Sequence, residues 1–249
     1  LTGSSRIPAL TGWFLLGGGV LFLGLFWLME GRSSMPMIDI RLFTHNRLFA
    51  FSNLAALINY SATFAIVFLL SLYLQKIRGL NPRDAGMILI AQPVMMAFFS
   101  PIAGRISDRI QPRYLTSAGM LLCTLGLASF ALLSETTPVA MIVALLAGVG
   151  LGFALFSSPN MNTIMSSVER SRYGLASGTA STMRVIGQIV SMTIATFFFS
   201  AIFGRQTVEA VPPHLFLKAM KLGFVVFSLI SATGIYFSYS RGKIIREQE

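Results

Sequence analysis

The sequence predicts an all-α membrane protein of seven bilayer-crossing helices, and three observations predict it. First, 54% of its 249 residues are hydrophobic and only 11% are charged, with a mean hydropathy of +0.72. No soluble domain hides that much apolar surface. Second, the apolar residues fall into runs of about 20 or more, the length that crosses a hydrocarbon core. Third, short polar connectors carrying Arg and Lys separate those runs, as at membrane faces.

Taken in order, residues 1–8 are a polar lead with Arg6. Span one runs from about Ala9 to Met29 and holds Gly17-Gly18-Gly19, small residues that let helices approach. Glu30 to Arg47 is a polar connector. Within it, Met37-Ile-Asp-Ile-Arg-Leu-Phe alternates apolar with charged residues and suits the interface, and Pro36 suits a chain reversal. Span two, about Leu48 to Leu74, carries Asn53, Asn59 and Tyr60; Asn53 and Tyr60, two turns apart, share a face. Asn81-Pro82 is a helix-start signal. Span three follows to about Ala103 and is interrupted at Gln92-Pro93, where proline removes a backbone bond and bends the helix. The link from Gly104 to Arg113 is too short to do anything but turn the chain back.

Span four is Tyr114 to Leu133, and a turn at Ser134–Pro138 leads into span five, about Val139 to Met165. There Gly148-Val-Gly-Leu-Gly152 thins one side of the helix, and Pro159-Asn160 disturbs it. A charged turn at 168–173 precedes span six, about Gly174 to Phe203. After a polar loop, span seven runs from about Leu215 to Tyr239, and a basic tail begins at Arg241. The first residue is Leu1 and no signal-peptide pattern appears; the expectation is that the chain is the carboxyl-terminal part of something longer.

Seven spans put the termini on opposite sides. The connectors after spans one, three and five, together with the tail, hold 11 Lys and Arg, and the other side holds 7. The richer side, with the 104–113 link and the tail, is expected to be cytoplasmic. The formal net charge of +10 is therefore a topology and headgroup signal. No basic patch interleaved with aromatics stands free of the apolar runs, so no nucleic-acid partner is expected. Cys123, the only cysteine, reads as a small core residue and leaves no intrachain disulfide.

Gly104-x-x-x-Asp108-Arg109-x-x-x-Arg113 resembles the major facilitator superfamily loop written G-x-L-x-D-R-x-G-R-K. In that family the loop joins the second and third helices of a six-helix half on the cytoplasmic side. If spans two to seven are one half, the loop falls at that junction. Here Ile110-Gln111-Pro112 replaces the glycine-containing step, and only one terminal cation remains. Span one is then surplus, which points to the fourteen-span branch. The runs Phe49-Ala-Phe-Ser-Asn, Leu72-Tyr-Leu-Gln75, Ala85-Gly86 and Ser100-Pro-Ile-Ala-Gly are similar to the drug:proton antiporter family of EmrB/QacA type.

The resemblance implies a six-helix C-terminal bundle at residues 48–249 with a cytoplasmic tail. A linker transmembrane helix and a cytoplasmic interfacial connector would occupy residues 1–47. It implies a multi-pass protein of the cell (inner or plasma) membrane that works by alternating access. Its partners would be the lipid bilayer, a small-molecule substrate, protons, and an N-terminal six-helix bundle absent from this chain. The implied activity is proton-coupled export of drugs or other amphipathic molecules.

Asp108 is the expected gating residue, sitting at a helix terminus and pairing with nearby Arg until the bundles rock. Arg109 and Arg113 are its candidate partners or headgroup anchors, Arg105 belongs to the same gating loop, and Gly104 allows helix ends to meet. Arg184 is the one strongly charged residue within a span. It either snorkels to the interface or binds an acid of the absent bundle. Gln188 lies one turn deeper on the same face. Asn53, Asn59, Gln92, Asn160 and Asn162 are uncharged polar groups in apolar runs that line a substrate path or bridge helices. Met95, Met96, Met161 and Phe98 fit a soft, adaptable wall, though ordinary lipid-facing residues are the stronger reading. No Asp or Glu lies deep within a span, so a proton-coupling carboxylate is expected in the absent half.

No catalytic set, cofactor motif or metal-ligand spacing appears, so no enzyme activity, cofactor or metal is expected. His45 and His214 fall near opposite faces and cannot share a metal. A seven-helix receptor or photoreceptor, and a non-transporting scaffold, remain alternative classes. A retinal protein needs a mid-membrane lysine in the last span, whereas Lys218 and Lys221 sit at its outer end.

Overall fold

In the computed structural model, residues 40–204 and 210–242, with Gly18, Leu21, Phe22 and Val208, are described. The chain divides into two compact units, Leu1–Ile40 and Arg41–Glu249. Gly18, Leu21 and Phe22 are helical; the rest of span one, the connector up to residue 39, Arg205 and the tail beyond Gly242 lie outside the described residues.

The second unit is all-α, and its helices are set by the punctuation of the sequence. After a short helix α1 (Ile40–His45), Asn46 caps α2 (Arg47–Thr63): its side chain accepts from the Phe49 N–H at 3.0 Å. Helix α3 (Ala65–Lys76) continues α2 after a one-residue interruption at Phe64. No proline or glycine lies there. Instead the Ala65 N–H donates to Ser191 Oγ at 3.0 Å, so a side chain from another helix enters the backbone ladder.

Asn81 and Pro82 open α4 (Pro82–Leu89) as the start signal requires, with Asn81 accepting from the Asp84 N–H at 2.9 Å. Helix α5 (Ala91–Ser107) begins after a break at Ile90. Pro93 explains the break: it has no N–H to offer Leu89, and its ring crowds that carbonyl. Pro112 starts α6 (Pro112–Phe130), and Pro138 precedes α7 (Val139–Ser166). A single 3₁₀ turn, Arg170–Arg172, leads into α8 (Tyr173–Phe203), and Pro213 starts α9 (Pro213–Ser240).

Among the described residues, five segments are long and apolar enough to cross a membrane: Arg47–Lys76, Pro82–Ser107, Val139–Ser166, Arg170–Phe203 and Pro213–Ser240. Helix α6 is not among the five, although its 19 residues give it a length of about 28 Å at 1.5 Å per residue. Its first turns are diluted by Arg113, Thr116 and Ser117, which is why its apolar character is weaker than the expectation for span four.

Hydrogen bonds sort the helix ends into two sets. One set gathers the start of α2, the start of α6, the end of α7 and the end of α9. Asn46 Nδ2 donates to Ser167 O at 2.6 Å, and Ser238 Oγ donates to Thr116 Oγ1 at 2.9 Å. At the other end, the Tyr73 hydroxyl donates to Ser134 O and Arg78 donates to Glu135 O, each at 2.6 Å. The 104–113 link and Arg241 therefore share an end.

The main core sits toward the opposite end, where Leu70, Tyr73, Phe130, Leu146, Phe216 and Phe224 are fully buried. Helices α6 and α7 touch backbone to backbone: a Cβ on Gly119 would stand 2.5 Å from Gly152 O, and one on Gly152 would stand 2.7 Å from Gly119 O. Gly150 admits the Gln92 carbonyl of α5 in the same way. The alternating glycines thus do what their spacing promises at 150 and 152, whereas Gly148 faces open space. Helices α4 and α5 lie at the periphery. Only 6% of their most apolar window is buried, against 56% for α2–α3.

Candidate functional site

The concave face of the bundle is built by α2, α3, α5, α7 and α8. It carries two cavities that share Tyr60. The larger, about 630 Å³, is lined by Tyr60, Thr63, Phe64, Val67, Phe68, Ser71, Gln92, Phe153, Gln188 and Met192. This volume is in the range that holds a drug-sized molecule. The interruption at Phe64 falls within this wall, so the Ser191 contact that causes it also shapes the cavity. The smaller, about 170 Å³, lies nearer the end that holds the 104–113 link. Small residues on three helices, Ala56, Ser157, Ala180 and Ser181, make room for it, and Arg184 reaches it.

Four of the seven substrate-path candidates meet here. Gln92 and Gln188 line the larger cavity, and Arg184 and Asn160 the smaller. The Gln92 side-chain oxygen is buried without a hydrogen-bond partner among the described residues, a costly state that a ligand donor would relieve. Asn53, Asn59 and Asn162 line neither cavity. Asn53 is fully buried and donates to Phe49 O at 3.0 Å. Asn59 is equally buried beside Cys123, and Asn162 is exposed. Of the soft-wall candidates, Met161 lines the smaller cavity, while Phe98 is exposed on peripheral α5.

The link closes α5 and opens α6. Asp108 is the C-terminal cap of α5, its N–H donating to Gly104 O at 3.2 Å, and it is exposed, as are Arg105 and Arg109. A Cβ on Gly104 would come 3.2 Å from Ser158 Oγ, so glycine brings the end of α5 against α7. Arg113 is held by aromatic faces: its guanidinium lies 4.6 Å from the Tyr114 ring centroid and 5.5 Å from that of Tyr239. The start of α6 is thereby tied to the end of α9.

Sequence reasoning missed Arg241, which it counted with the basic tail. This residue caps α9 and is 1% exposed. Its Nε donates to Ser238 O at 2.8 Å, and Nη1 donates to Asn160 Oδ1 at 2.8 Å and Ser52 Oγ at 3.2 Å. Its Nη2 donates to Thr116 Oγ1 and to Ser238 Oγ, the latter at 2.9 Å. Ser117 Oγ and Asn160 Nδ2 extend the network to Ser238 Oγ and Ser52 O. One guanidinium thus joins α2, α6, α7 and α9, all through neutral oxygens. Burial pulls it down to about 9, still a cation at neutral pH. The signal available in the sequence was an arginine directly after an apolar run, with Ser238 one turn before it.

Membrane-length helices packed around these cavities define a multi-pass membrane protein. The chain matches the Major Facilitator Superfamily over residues 7–192 and again over 52–244, and it belongs to that family. It is 32% identical over 187 residues to a riboflavin transporter, RibZ of Clostridioides difficile, covering 75% of this chain and 40% of that protein. It is 28% identical over 234 residues to the MFS-type transporter YcnB of Bacillus subtilis, 93% of this chain and 48% of that one. It is 29% identical over 203 residues to multidrug resistance protein Stp of Mycobacterium tuberculosis, 82% and 36% respectively. The chain thus spans about half the length, or less, of these curated relatives.

Proposed function

We propose that the chain is the carboxyl-terminal half of a fourteen-span secondary transporter that exports amphipathic small molecules in exchange for protons. The observation that carries this reading is the two-part cavity, faced by apolar and aromatic side chains with a few amides and hydroxyls and with Arg184. An amino-terminal bundle closing over this cavity would complete the path, and rocking of the two bundles would expose it to each side in turn.

The end that holds the 104–113 link and Arg241 is assigned to the cytoplasm of a cell membrane, from the excess of arginine and lysine there. Asp84, Asp108, Glu135 and Glu169 all stand at helix ends or in turns. The reading therefore assigns the proton-carrying carboxylate to the amino-terminal bundle. Asp108, at the terminus of α5, is the gating acid of that cytoplasmic face.

A second reading has one specific support. Gln92 and Gln188 offer two amides within an otherwise apolar, aromatic-rich cavity. That suits a neutral planar heterocycle, and one relative is named for riboflavin. Movement of riboflavin rather than of amphipathic drugs would favour it.

The test uses the full-length protein in proteoliposomes with an imposed pH gradient and a fluorescent amphiphile. Gradient-driven dye movement is expected. Asp108→Asn is expected to slow it several-fold at unchanged membrane insertion. No gradient-driven movement of dye or riboflavin would end the transport reading, and an undiminished Asp108→Asn rate would end the gating role.

A further inference from the structure

We infer that the 170 Å³ pocket is an anion subsite: it takes the sulfonate, carboxylate or phosphate end of an aromatic amphiphile whose ring system lies in the adjoining 630 Å³ cavity. The inference rests on the transport reading only in treating the two cavities as a ligand path.

The charge of the wall comes first. Across the described residues that line the two cavities, Arg184 is the sole formal charge. Whatever enters therefore meets a cation with no carboxylate of this wall to offset it. Even for an exposed group, at the effective dielectric near a protein surface, the attraction for an anion and the repulsion of a cation are both stronger than in bulk water.

Free donors come second. Arg184 is exposed, and neither it nor Ser157, Ser181 or the Tyr60 hydroxyl hydrogen-bonds to a described residue. The neighbouring Asn160 is already committed, accepting from Arg241 and donating to Ser52 O. The pocket thus presents uncommitted hydroxyl and guanidinium donors around a small space, the arrangement that recognises anionic oxygens.

Geometry comes third. On α8, Ser181, Arg184, Gln188 and Met192 recur at three- and four-residue spacing and share one face. From Arg184 to Gln188 is one turn, roughly 6 Å of helix rise. Tyr60 lies on the boundary and belongs to both cavities. A ligand with its anionic group at Arg184 would have its rings against Tyr60, Phe64, Phe68 and Phe153, and a donor within reach of the unpartnered Gln92 oxygen.

The test is equilibrium binding to the purified full-length protein in detergent, with micelle-only controls. Three probes share one ring skeleton: anilinonaphthalene sulfonate, uncharged N-phenylnaphthylamine, and an anilinonaphthalene bearing a trimethylammonium group. The sulfonate is expected to bind tightest and the cation weakest. Arg184→Gln is expected to weaken sulfonate binding about tenfold, the loss of one charge-assisted contact, and to leave the uncharged probe unchanged. Arg184→Lys should restore part of the difference.

Equal binding of all three probes, tighter binding of the cation, or sulfonate binding indifferent to Arg184→Gln would each overturn the subsite. The transport assay separates the two ideas. Arg184-dependent sulfonate binding without gradient-driven movement would keep the subsite and sink the transport reading. Gradient-driven movement of the cation in preference to the sulfonate would do the reverse.

Discussion

Arg241 and Arg184 stand on the same bundle and are opposites in every physical respect. Arg241 is buried, caps α9, and sends all five of its hydrogen bonds to neutral oxygens on four helices. Arg184 is exposed in the middle of α8, in a pocket where the Ser157, Ser181 and Tyr60 hydroxyls bond to no described residue. Taking a guanidinium out of water is costly, and it is tolerated only where oxygens replace the lost hydration. A saturated arginine therefore holds helices together. An unsaturated one facing a cavity is available to something that arrives later. Asn160 touches both regimes, because it lines the smaller cavity and anchors Arg241.

The largest effect expected from breaking this contrast is on the saturated side. Arg241→Leu removes the donors that satisfy Ser52, Thr116, Asn160 and Ser238, at a cost of about 3 kcal/mol or more. Thermal unfolding of this bundle, followed within the full-length protein in detergent, should shift down by roughly 6–12 °C, at about 2–4 °C per kcal/mol for a unit of this size. Arg241→Lys should recover only part of this, because a single ammonium cannot reproduce the planar fork. A shift under about 2 °C would show that the clamp is not needed for stability.

Asn160→Ala comes next and tests the hinge of the comparison. It removes the acceptor of Arg241 and the donor to Ser52 O, so a loss of about 1–2 kcal/mol is expected. The same change alters the wall of the smaller cavity, and sulfonate-probe binding should fall about threefold. A stability loss with untouched probe binding would detach Asn160 from the anion subsite.

Much of this architecture was legible in the sequence, and the reasons are local. Helix starts at Asn81-Pro82, Pro112, Pro138 and Pro213 follow from capping and from the missing proline N–H. The break before Pro93 was legible for the same reason. The break at Phe64 was not, because its cause is Ser191, 126 residues away. Arg184 stood out as a charge inside an apolar run, and Gln92 and Gln188 as amides there. Arg241 did not, because its burial depends on Ser52, 189 residues distant, and on Thr116, 125 residues distant. Hydroxyls on separate helices carry no pattern that tells which will converge. The same blindness explains why Asn53 and Asn59 could not be separated from Asn160. All three are amides in apolar runs, and only packing decides which one reaches a cavity.

The smallest effect is the sharpest separation of the two regimes. Ser181 lies one turn before Arg184 on the same face of α8, lines the smaller cavity, and has no hydrogen-bond partner among the described residues. Removing a hydroxyl that bonds to no described residue strands none of their polar groups. Ser181→Ala should therefore leave the unfolding temperature within the change expected of a neutral substitution, about 0.5 kcal/mol. If the hydroxyl contributes one hydrogen bond to a bound sulfonate, binding of that probe should weaken about threefold, with the uncharged probe unmoved. A marked loss of stability would mean that Ser181 belongs with Arg241 in holding the bundle. Unchanged binding of both probes would confine anion recognition to Arg184, Ser157 and Tyr60.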